Sequence, residues 1–144
     1  MTGDIIQILF VFLLSWCALW DLALQQVPLP LLIGLVLCGG IARAAAYLEA
    51  TSALMRNWQL FSLLPGLLLL ASCLPACLKK TMGAADLLAL AALVLRYSFS
   101  ELFALLAVSF VLAGLTGALK LIFYPGSSEE TLPLIPFMAL GVLI

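Results

Sequence analysis

The sequence predicts an all-α, polytopic membrane protein of about six transmembrane helices, and three observations carry that expectation. The 144-residue chain is 66% hydrophobic and only 9% charged, against about 25% charged in an ordinary globular domain. Its mean hydropathy of +1.29 reflects more apolar surface than a soluble core could hide, because a folded chain this short still exposes roughly a third of its area. The apolar residues form long runs without strand-like alternation, and in lipid a lone chain of such runs satisfies its own backbone only as helices. The whole of 1–144 reads as one integral membrane domain.

The runs follow in order. Ile5 to Trp20 is the first, closed by Asp21 and a polar break with Gln25 and Gln26. The preceding Met1-Thr2-Gly3-Asp4 lacks the basic region of a secretory signal, so this run is expected to be a retained span. Pro28 and Pro30 open a second run to about Leu48, since proline suits a first helical turn, where its missing N–H is not needed. A polar stretch around Glu49, Arg56 and Asn57 precedes the third run, Trp58 to Leu78, which Lys79 and Lys80 close as headgroup anchors. Gly83-Ala84-Ala85-Asp86 introduces the fourth run, Leu87 to about Phe99. The fifth is Leu102 to Tyr124, then a loop from Pro125 to Glu130 whose two glutamates read as solvated, then the sixth, Leu132 to Ile144. The first, fourth and sixth runs fall below the roughly 20 residues a helix needs to cross a bilayer, unless flanking residues join them.

Six spans place the Asp21 break, the Lys79–Asp86 loop and the Tyr124–Glu130 loop on one face of the membrane. The positive-inside rule does not name that face: Lys79, Lys80 and Lys120 lie toward it, and Arg43, Arg56 and Arg96 toward the other.

Asp21 and Asp86 are the candidate functional residues. The other acidic residues, Asp4, Glu49, Glu101, Glu129 and Glu130, sit near the N-terminus or in polar breaks, whereas these two press against apolar runs. A carboxylate at the bilayer boundary is costly and marks a functional site by default, although either one alone also fits an interfacial residue with its head in water. Two carboxylates sharing a water cannot both ionise cheaply, so the pair holds one proton and provides a base and an acid together. Gly83, with Ala84 and Ala85, is expected to let the Asp86 backbone approach the first span, or to serve simply as a small-residue packing face. No histidine is present, which excludes Ser/His and Cys/His catalysis. Cys17, Cys38, Cys73 and Cys77 contain no CxxC pair, so small apolar filler is the expected role and no metal or other cofactor is called for. The net charge of −1 leaves no footprint for nucleic acid.

The stretch Asp21-Leu-Ala-Leu-Gln-Gln-Val-Pro28 resembles the first signature of type IV prepilin peptidases, and Gly83-Ala-Ala-Asp86 resembles their GxGD-type second signature. Leu132-Pro-Leu-Ile-Pro136-Phe137-Met-Ala-Leu-Gly141 is similar to the Pro-Phe-rich last span of the same family. The resemblance runs over essentially the whole chain. It implies an aspartic endopeptidase of the cytoplasmic membrane, multi-pass, with Asp21 and Asp86 catalytic, Gly83 packing the site and Pro136 and Phe137 lining it. Its substrate would be a pilin-like precursor with a short basic leader, cut at the cytoplasmic face. Larger relatives carry an added methylation domain with paired cysteines, so this chain is expected to be a peptidase-only minimal form. It departs from the family at Leu29, where Asn is common, at Gln25 and Gln26, where a basic residue is common, at Ala85 for Gly and at Leu88 for Lys. Those departures bear on activity and substrate preference. They keep open an inactive family member acting as an assembly partner, and the carboxylate pair itself would also serve a small proton-coupled carrier.

Overall fold

The computed structural model describes residues 2–79, 83–123 and 134–143. Lys80, the 124–130 loop with Glu129 and Glu130, Leu132 and Pro133 lie outside them, as does the side chain of Lys120. The described residues form seven helices and no strand: α1 (Thr2–Leu24), α2 (Leu29–Glu49), α3 (Ala53–Phe61), α4 (Leu63–Leu78), α5 (Ala84–Arg96), α6 (Phe99–Phe123) and α7 (Ile135–Leu143).

Flanking residues do lengthen the first run. The helix continues past Asp21 to Leu24, so α1 reaches 23 residues. It stops because Gln25 turns left-handed at φ 51°, its amide closing the last turn on the Asp21 carbonyl at 2.9 Å. Pro28 then caps α2, with Pro30 in its first turn. The third run is two helices rather than one. Pro65 lacks the N–H that would meet the Phe61 carbonyl and its ring crowds that turn, which accounts for the break at Ser62 between α3 and α4. The Arg43 guanidinium on α2 reaches this break, donating to the Gln59 carbonyl and to the Ser62 hydroxyl. At the next turn Ser98 and Glu101 form half of a capping box: the Glu101 carboxylate accepts from the Ser98 amide at 2.9 Å and from its hydroxyl at 2.8 Å.

Four helical stretches are long and apolar enough to cross a membrane: Asp4–Leu24, Leu29–Glu49, Leu54–Leu78 and Phe99–Leu119. The other two expected crossings fall short as described. The 13 residues of α5 extend about 20 Å, against about 30 Å of hydrocarbon, and the described part of α7 has nine. Large apolar side chains such as Ile8, Phe12, Leu68 and Phe110 face outward, an exterior compatible with lipid.

Short α5 is nevertheless the hub, packing on α2, α4, α6 and α7, while α1 packs on α2 and α7. Its buried face (Ala89, Leu90, Ala92, Leu93 and Val94) meets Phe10, Leu14 and Cys17 of α1, Leu35 and Cys38 of α2, Leu102 and Leu105 of α6, and Ile135 and Met138 of α7 in one core. Where lipid is as apolar as the core, helices gain little from hydrophobic burial, and close van der Waals contact decides. Small residues supply it. A Cβ on Gly39 would lie 2.7 Å from the Ala92 carbonyl oxygen, one on Gly66 would strike Val94, and one on Gly141 would lie 2.9 Å from the Ser109 hydroxyl. The pairs α2/α5 and α6/α7 thus touch almost backbone to backbone, while in α4/α5 the Val94 side chain seats on bare Gly66.

Gly39→Ala is therefore expected to lower stability by about 1–3 kcal/mol, since the Ala92 backbone cannot step aside. Gly34→Ala, whose Cβ would meet nothing within 4 Å, should leave stability unchanged or slightly raised. Thermal unfolding midpoints of the two variants in detergent check the contrast.

Candidate functional site

Asp21 lies on the inward stripe of α1. Phe10, Leu14, Cys17 and Asp21 follow one another at spacings of four and three, the pattern of a single helical face, and all four are buried. Asp21 is 7% exposed, and its Oδ2 is buried without a hydrogen-bond partner among the described residues. It is thus a full turn inside the helix rather than at the end of a span.

Asp86 is the third residue of α5, with Gly83 as the N-cap. Its carboxylate accepts the Gly83 amide, the reach-back that an acid at this position makes in a capping box, and it also accepts the amides of Leu134 and Ile135 at the start of α7. The first amides of any helix lack intrahelical partners, and the positive end of the helix dipole favours an anion there. One side chain therefore satisfies the beginnings of two helices.

The same end of the bundle holds Asp21, whose charge acts directly on Asp86. At the far end the Phe10 and Tyr97 rings meet edge to face at 6.1 Å, and Arg96 donates to Gln7 at 3.3 Å. Helices α1 and α5 thus run antiparallel and carry the two carboxylates at the same end of the bundle, within reach of each other's charge. Cys17, one turn before Asp21, and Cys38 are buried in the core, and Cys73 and Cys77 are half-buried free thiols on α4. No group of three or more metal-ligating side chains gathers among the described residues.

The other expected site residues are placed less directly. Gly83 lies against the Asp86 carboxylate rather than against the first span. Among the described residues beyond its chain neighbours, the atoms near a Cβ built there belong to Asp86, with its Oδ2 at 3.3 Å, and none of α1 comes within 4 Å. Its φ of −69° is open to any residue, so what the position requires is room for the carboxylate it binds. Pro136 is buried in the first turn of α7, and Phe137 is half-buried. They follow directly after the two amides on Asp86, and the Phe137 carbonyl faces Ser109 of α6 at 3.1 Å. The donors from Leu134 and Ile135 left no trace in the sequence, because a backbone amide carries no residue identity. Gln25 read only as a polar break, yet it holds the left-handed turn directly after the Asp21 helix.

No protein-family model, curated protein or solved structure matches the chain.

Cysteine pairs test the geometry in a chain whose four native cysteines are replaced by alanine. Asp21→Cys with Asp86→Cys is expected to join through a short membrane-permeable thiol cross-linker. Asp4→Cys with Asp86→Cys should not, because these positions lie at opposite ends of the bundle. Gel mobility after cross-linking in membranes reads the result.

Proposed function

We propose that the chain is a membrane aspartic endopeptidase of the prepilin peptidase type, cutting the leader of a pilin-like precursor at the cytoplasmic face of the cell membrane. The observation that supports this reading is the placement of Asp21 and Asp86 at one end of an apolar helical bundle, within reach of each other's charge. Two neighbouring carboxylates in a low-dielectric setting hold a single proton between them. The ionised member takes a proton from water, the resulting hydroxide adds to the scissile carbonyl, and the protonated member donates to the carbonyl oxygen. The newly protonated aspartate then gives its proton to the leaving amine as the C–N bond breaks, and a hydroxyl of the tetrahedral intermediate returns a proton to the other aspartate, which restores the pair. No metal or nucleotide enters these steps.

In this reading the chain is multi-pass, with α5 and α7 as short crossings that keep the carboxylate end close to the headgroups. A precursor leader held at that face would present its scissile bond to the pair without entering the hydrocarbon. A second reading draws on the Asp21 oxygen that is buried without a partner. Such a group suits a protonation site in a small proton-coupled carrier. A third is an inactive relative acting as an assembly partner, which the Leu29 and Leu88 departures favour.

Co-expression with several pilin-like precursors separates the three. Asp21→Asn and Asp86→Asn are each expected to reduce leader cleavage by about 100-fold or more, the scale of a lost general acid or base. The protease reading fails if the unmodified chain cuts none of the precursors, or if either Asn variant still cuts at a rate near that of the unmodified chain. A carrier would instead show proton-linked solute flux lost in both variants, and an assembly partner would tolerate both.

A further inference from the structure

Ser109 is a polar side chain only 1% exposed, set in the apolar stretch Leu105-Leu106-Ala107-Val108-Ser109-Phe110 of α6. Its hydroxyl lies 2.7 Å from the Leu105 carbonyl of its own helix and 3.1 Å from the Phe137 carbonyl of α7. The contact is tight, since a Cβ on Gly141 would fall 2.9 Å from that hydroxyl and 3.0 Å from the Leu105 carbonyl oxygen. From Phe137 a continuous path leads to the carboxylate. The amides of Phe137 and Met138 both donate to the Leu134 carbonyl at 3.1 Å, and the Leu134 and Ile135 amides donate to Asp86. A helix as short as the described α7 does not hold its own position, because isolated helices of this length are marginal. Its placement depends on what grips it from outside.

We infer that Ser109 is a positioning residue that fixes α7 against α6 in the register at which the amides of Leu134 and Ile135 meet the Asp86 carboxylate. The hydroxyl bridges the two helices, the Gly141 contact sets their separation, and the first turn of α7 transmits that placement to Asp86. The structural part of this inference stands without any assumption about activity. Its catalytic consequence rests on the peptidase reading, in which Asp86 is half of the reacting pair.

Residue-resolved amide hydrogen exchange in detergent tests it, with Ser109→Ala set beside Thr116→Ala. Thr116 makes the same kind of bond within α6, to the Leu112 carbonyl at 2.7 Å, but is exposed. In Ser109→Ala the Leu134 and Ile135 amides should exchange about three- to ten-fold faster, as expected for one lost interhelical hydrogen bond, while the Leu93 amide in the core of α5 stays as protected as before. Thr116→Ala should change none of them. Unchanged Leu134 and Ile135 amides in Ser109→Ala overturn the inference, as does equal acceleration at Leu93, which marks general loosening. On a precursor that the unmodified chain cleaves, Ser109→Ala should lower kcat several-fold at constant KM, and an unaltered kcat overturns the catalytic part. If the unmodified chain cleaves nothing, the peptidase reading falls, while the exchange data still decide the role of Ser109.

Discussion

The amides that begin α5 and α7 converge on the Asp86 carboxylate, and the arrangement of this end of the bundle follows from that convergence. Every helix leaves its first amides without intrahelical partners, and an apolar setting makes an unsatisfied amide expensive. Two helices begin here close together among apolar neighbours. An anion placed between them answers both needs and also meets the positive ends of both helix dipoles. The same geometry holds Asp86 in one orientation beside Asp21. Structural and chemical demands thus fall on a single side chain, so Asp86 would be restrictive to substitute even in a chain that performed no catalysis.

The two carboxylates are held differently. Asp86 receives three backbone donors, whereas Asp21 has an oxygen with none among the described residues. A pair in unequal surroundings divides acid and base roles more readily than a symmetric one. The rest of the bundle keeps the pair in place through close backbone contacts. Gly39 against Ala92 sets α5 on α2, and Gly141 against Ser109 sets α7 on α6. Helices α3 and α4 stand further out, joined to the core through Gly66 and Val94 and latched to α2 by Arg43 at their break.

Much of this was legible in the residues. The prolines at 28 and 30 marked the start of α2, and the inward stripe of α1 is written in the spacing of Phe10, Leu14, Cys17 and Asp21, which places that carboxylate inside the helix and not at its edge. Pro65 carried the signal for the break that turns the third run into two helices. Ser109 was visible as a lone hydroxyl in an apolar stretch, though nothing local named its partner. Gly83 stood out beside Asp86 in the sequence, but what bounds the space around it did not. The space around it is bounded by the Asp86 carboxylate, and only coordinates show which atoms bound a space.

The sequence by itself determined the helical class, the apolar stretches and their order. These depend on composition, periodicity and counting, all of which are local properties of the chain. Only the tertiary structure decided that the two carboxylates share one end of the bundle, that α7 delivers its first amides to Asp86, and that four stretches rather than six are long enough to cross a membrane as described. Those outcomes depend on how closely helix backbones approach one another and on where helices begin. Backbone amides and carbonyls are the same at nearly every position, so their partners are set by packing and leave no mark in the order of side chains.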